Sequence, residues 1–165
     1  MLRRTPVIPP ISLDDALPFL IRVFLAYALA LPIGWNREAH DHSAGLRTFP
    51  LVSAGACGFM LLGLSVLHAE GPRARVLYGI VTGIGFIGGG AILKLGGTVT
   101  GTATAASIWN MGAVGVAVAW GRVDLAFLLC LVNALTLWLL KPMLLGRRPG
   151  SSETEAETKS GADQL

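Results

Sequence analysis

The stretch Gly83 to Gly97, GIGFIGGGAILKLGG, holds seven glycines in fifteen residues. Its first six residues, Gly83-Ile84-Gly85-Phe86-Ile87-Gly88, satisfy the spacing G-x-G-x-x-G. That spacing marks a dinucleotide cradle only when a strand precedes it, a helix opens at it and an acid follows about 20 residues on. No Asp or Glu occurs between Glu70 and Asp124. The acid that would hold a ribose is therefore missing, and so is the Lys-Ser/Thr pair of a P-loop. The same residues belong to an uncharged run of 18, from 76 to 93. In such a run, glycines are read as helix surface. Gly79 and Gly83 form one G-x-x-x-G pair, and Gly85 and Gly89 another; small residues four apart let helix backbones approach closely. Gly88, Gly89 and Gly90 are expected to join this helix-packing set. Three consecutive glycines also weaken a helix, by about 1 kcal/mol each relative to Ala, so a break at Gly88–Gly90 is an alternative.

The rest of the chain supports a membrane solvent. Of 165 residues, 53% are hydrophobic and 14% charged; mean hydropathy is +0.62. Soluble domains carry nearer a quarter charged residues. The net charge of +3 and the 7% aromatics offer neither a basic stripe nor a stacking platform, which argues against nucleic acid. Cys57 and Cys130 sit in apolar runs and read as small buried hydrophobes.

Charges mark where the chain can leave a bilayer, since a spanning helix needs about 20 apolar residues. Residues 48–69 carry no Lys, Arg, Asp or Glu, nor do 76–93, 95–121 and 125–140, while 16–36 carries only Arg22. The runs are continuously apolar rather than alternating, and hydrocarbon demands that backbone polar groups be satisfied internally. The expected fold is all-α: a polytopic bundle of five transmembrane helices, about 16–35, 49–68, 76–93, 102–120 and 124–141. Residues 1–15 are an N-terminal segment, and 16–145 form the transmembrane domain. The Ser- and Glu-rich residues 146–165 are expected to be a disordered polar tail. With the C-terminus inside, seven Lys/Arg lie inside and five outside, which favours a cytoplasmic C-terminus and an outside N-terminus.

Polar residues in or beside the spans are the candidate functional groups. Arg22 either snorkels outward or faces the bundle interior, where ionisable groups are usually functional. At the end of the first helix stand Asn36, Arg37 and Glu38. Adjacent helical residues point apart, so Glu38 seeks a partner elsewhere, with Arg47 and Arg22 as candidates. Ser107 and Asn110 share a helix face, and Asn110 should find a partner on another helix. His40, Asp41 and His42 make a thin basis for a metal site, and His68 reads as interfacial. No metal, no cofactor and no catalytic set is expected, so the chain is read as a non-enzyme.

Four segments in order resemble the MgtC/SapB family of bacterial inner-membrane proteins. IRVFLAYALALPIGWNRE is similar to that family's first helix with its embedded arginine. AGLRT, Ala44 to Thr48, matches the family pattern as it stands. GIGFIGGGAIL resembles its glycine-rich third helix, and GTATAASIW the start of its fourth. The resemblance carries over at Arg22, Arg37, Glu38, Gly45, Arg47, Thr48, Gly83–Gly90, Ser107 and Trp109. It implies a five-helix inner-membrane domain tied to magnesium limitation and stress adaptation. It also implies a regulatory, non-enzymatic role, and in some members modulation of the membrane ATP synthase. The chain departs from the family at Trp35 and Asn36, where the family has Leu-Glu. One carboxylate is thereby lost. The C-terminal soluble domain of many members is not recognised, so the chain is read as a membrane module. Its expected partners are the lipid bilayer, other membrane proteins such as the ATP synthase, and a second copy of itself. The competing expectation is a small transporter or channel for magnesium or another cation, lined by Arg22, Glu38 and Asn110.

Overall fold

The computed structural model describes residues 13–38, 44–95 and 97–145. They form five helices: α1 (Leu13–Glu38), α2 (Thr48–Val66), α3 (Glu70–Gly89), α4 (Thr102–Ala119) and α5 (Val123–Leu145). The chain divides into two units, Met1–Ala134 and Leu135–Leu165, so the boundary falls inside α5. The helix contacts that follow all lie in the first.

Among the described residues three helices are long and apolar enough to cross a membrane: Ala16–Glu38 in α1, all of α2 and all of α4. Val123–Leu139 in α5 is a shorter apolar helix. Large apolar side chains stand exposed around the bundle, among them Leu20, Phe24, Phe59, Leu62, Phe127 and Leu128. In water such a surface would aggregate. In a bilayer it faces hydrocarbon, which identifies the chain as a membrane protein.

Helix α4 is the centre. In its apolar window 61% of residues are buried, against 17% for α1. It packs on α1, α2 and α3, and α2 packs in turn on α1 and α3. The core joins Ala26, Ala30 and Ile33 of α1 to Phe49, Cys57 and Met60 of α2 and Ile108, Met111, Val114 and Val118 of α4. Small residues bring the backbones close. A Cβ at Gly115 would strike the Ser53 carbonyl and lie 2.9 Å from the Cys57 nitrogen, so α4 rests on α2's backbone. At Gly112 a Cβ would strike the end of Ile84 from α3.

The glycine run behaves differently from its reading. Helix α3 starts at Glu70 and stops at Gly89 instead of running from 76 to 93. The last helical carbonyls are taken up by a tight turn: Gly90 N–H donates to Phe86 O, Ala91 to Gly88 O and Ile92 to Gly89 O. Leu93–Leu95 and Thr98–Thr100 then pair as an antiparallel hairpin, Lys94 opposite Val99. The sequence reading had no strand here. Just before the second strand Gly97 takes φ 87°, a left-handed conformation that glycine adopts freely. Of the six glycines read as helix-packing, Gly88 meets another helix, its Cβ position lying 3.1 Å from Ala105 O. Gly90 meets only its own turn, and Gly79, Gly83, Gly85 and Gly89 meet nothing within 4 Å. The tightest approaches to neighbouring helices are made by Gly112 and Gly115, in the sequence NMGAVG of α4.

Candidate functional site

The charged candidates Arg22 and Glu38 stand toward opposite ends of the bundle. Arg22 and Glu38 both lie on α1, 16 residues from each other, which is about 24 Å along a helix. They do not converge on one site.

At the first end, Arg22 Nη1 donates to the Ala119 carbonyl at 2.9 Å. Ala119 is the last residue of α4, and the last four carbonyls of any helix lack intrahelical partners. All four are accounted for here. Trp120 N–H donates to Val116 O at 3.1 Å, Arg122 to Ala117 O at 2.9 Å and Gly121 to Val118 O at 3.0 Å. Gly121 at φ 74° makes this a Schellman ending. Arg22 supplies the fourth donor and places a cation at the negative end of the α4 dipole. The arginine inside the first span is thus a cap on the central helix. A parallel device closes α2, where Arg73 Nε donates to Leu67 O at 2.7 Å.

At the other end, Glu38 finds neither arginine. Its Oε2 accepts the Leu46 N–H at 3.0 Å. Among the described residues the one ion pair is Arg122–Asp124, on an exposed turn. Glu38 can reach Leu46 because Gly45 has no side chain; a Cβ there would collide with the Glu38 carboxylate. Gly34 likewise brings α1 against the same turn, its Cβ position 3.1 Å from Leu46 Cα. The turn then opens α2, with Thr48 and Phe49 N–H both donating to Gly45 O. The segment AGLRT is therefore a clamp between α1 and α2. Arg47 is the N-cap of α2, but its side chain makes no capping bond and has no partner among the described residues.

Arg37 is the unusual group. It is only 7% exposed, yet its Nε and Nη2 have no hydrogen-bond partner. A buried, uncompensated guanidinium is costly. Asn36, beside it, is half-buried. His40, Asp41 and His42 lie outside the described residues, as do 1–12 and 146–165.

Ser107 and Asn110 both reach α5. Ser107 Oγ donates to Asn133 Oδ1 at 3.0 Å, and Asn110 Nδ2 to Leu129 O at 3.1 Å. Asn133 was missed by the sequence reading, although an amide in an otherwise apolar span is the same signal that marked Asn110. Its Nδ2 is buried without a partner. Trp109 is half-exposed.

The family question is settled by similarity over most of this framework. The MgtC family profile matches residues 23–144. The chain belongs to the MgtC family. A Synechocystis protein, slr0014, is 43% identical over 96 residues, covering 58% of this chain and 41% of its own length. YhiD of Escherichia coli K12, named as a candidate magnesium transporter, is 36% identical over 114 residues, 65% of this chain and 53% of its own. MgtC of Brucella abortus is 37% identical over 119 residues, 72% and 50% respectively. The chain spans about half the length of the curated relatives it matches. No solved structure matches it. The matched region contains Glu38, the 44–48 clamp, the glycine run and the α4–α5 polar pairs, and begins one residue after Arg22.

Proposed function

We propose that this MgtC-family chain is a regulatory or stress-adaptation protein of the bacterial inner membrane, linked to magnesium limitation, and not an enzyme. In this reading the N-terminus lies outside and the C-terminus in the cytoplasm, and the protein acts through contacts with membrane partners, the ATP synthase or a second copy among them. The observation that carries it is how the polar groups are spent. Arg22 caps α4, Glu38 clamps the 44–48 turn, and Ser107 and Asn110 tie α4 to α5. The site residues without a partner, Arg37 and Arg47, are cations. Magnesium dehydrates reluctantly and needs oxygen ligands in octahedral array; two unpaired guanidinium groups repel it. Among the described residues no three of His, Cys, Asp and Glu gather to hold a cation.

The test is deletion of the gene and growth in low magnesium. Slow growth and altered cellular ATP are expected. Normal growth with unchanged ATP contradicts the proposal. The competing reading is the one carried by the name of YhiD. Magnesium flux into liposomes holding the purified chain would support it, and an absence of flux is expected.

A further inference from the structure

We infer that the open side of the α2–α3 pair is a binding site for one anionic phospholipid, its phosphate held at Arg47 and an acyl chain lying between the two helices. Helices α2 and α3 pack on each other. Near their connection Val76 lies 3.2 Å from the Cβ position of Gly63. Further along, Gly55 on α2 and Gly79 and Gly83 on α3 meet nothing within 4 Å. The gap between them is a cavity of about 720 Å³, walled by Leu51, Phe59 and Ile87. Among the described residues that line it Arg47 alone is charged, and it stands beside Thr48, at the start of α2 and away from the Gly63–Val76 contact.

That polarity is the polarity of a lipid: one anionic head, then hydrocarbon. Charge at this end supports it. Among the described residues Arg37, Arg47 and Lys94 stand here against Glu38, whose carboxylate already accepts the Leu46 N–H. Juxtamembrane cations attract anionic headgroups, and Arg matches phosphate oxygens with paired donors. The Gly63–Val76 contact closes the groove near the α2–α3 connection, and a flexible acyl chain fits such a tapering space better than a rigid helix about 10–12 Å across.

Native mass spectrometry of the full chain in mild detergent tests this, with phosphatidylglycerol or phosphatidylcholine added as the probe. The wild type is expected to retain one phosphatidylglycerol in preference to phosphatidylcholine. Gly83→Leu projects into open space, so it fills the cavity without an internal clash, and should lower lipid retention at least about tenfold. Arg47→Gln should retain lipid but lose the preference between the two headgroups. Thermal unfolding of each variant in detergent confirms that it is folded. Three outcomes overturn the inference: no retained lipid on the wild type, unchanged retention by folded Gly83→Leu, or a shift of Gly83→Leu from dimer to monomer with lipid retention unaltered. The last would assign the groove to a second copy.

Discussion

Replacing Arg22 by Met removes the donor to Ala119 O and leaves an unbranched side chain on the same stem. Ala119 is 1% exposed, so its carbonyl has no water to turn to. A hydrogen bond from a charged donor contributes about 1.5–3 kcal/mol, and leaving a buried acceptor unsatisfied costs about 1–3 kcal/mol; these describe the same loss and are not added. The cation at the C-terminal end of α4 contributes a further ~0.3–1 kcal/mol through the helix dipole. Placing an arginine in a membrane helix is unfavourable, but that cost is common to the packed bundle and to separated inserted helices, so it cancels in the packing equilibrium. The net expectation is a loss of about 2–4 kcal/mol, at least on the order of 30-fold in the equilibrium between packed and unpacked states. Titration with a denaturing detergent, followed by circular dichroism, measures the first effect. Hydrogen exchange at Trp120, Gly121 and Arg122 measures the second, because these amides form the ending that Arg22 completes. Arg22→Lys keeps a cationic donor and should recover part of the loss. If Arg22→Met unfolds at the wild-type midpoint and those three amides stay equally protected, the capping role is wrong.

Gly115→Ala should destabilise by about 1–3 kcal/mol, because its Cβ meets the backbone of α2 at Ser53, which cannot swing aside. Gly112→Ala meets only the end of the Ile84 side chain and should cost less; equal unfolding midpoints would refute the distinction. Ser107→Ala leaves Asn133 with neither end satisfied and should cost about 1–3 kcal/mol, whereas the double change Ser107→Ala with Asn133→Leu should recover most of it. A double-mutant cycle that gives simple additivity would show that the two side chains are not coupled. Gly45→Ala should push the Glu38 carboxylate off the Leu46 amide, speeding hydrogen exchange at Leu46 while α2 stays helical. Glu38→Gln, which keeps an acceptor oxygen, should leave that amide more protected than Gly45→Ala does.

Sequence alone determined the solvent, and with it the class of fold. Long uncharged runs can exist only where hydrocarbon replaces water, and hydrocarbon admits only internally satisfied backbones, so α1, α2 and α4 were legible from charge spacing. The third helix was legible as a helix but not in its bounds. Charges at Arg73 and Arg75 suggested a later start than Glu70, because charge spacing reports where a bilayer can end rather than where a helix begins. The hairpin at 93–100 was hidden for a related reason: six residues of pairing carry too short a pattern to read. Among the site residues, local spacing placed Ser107 and Asn110 on one face, and the structure found α5 opposite it. Spacing could not tell what Arg22 and Glu38 touch, since both meet backbone groups, the Ala119 carbonyl and the Leu46 amide, which every residue carries and no sequence singles out. The glycine run shows the same limit from the other side. G-x-x-x-G identifies a face that permits close approach, but whether anything approaches depends on where the next helix lies. Only the tertiary structure decided that Gly112 and Gly115 pack against neighbours while Gly79 and Gly83 border an open groove, because helix separation is set by the whole bundle and not by the residues on one helix.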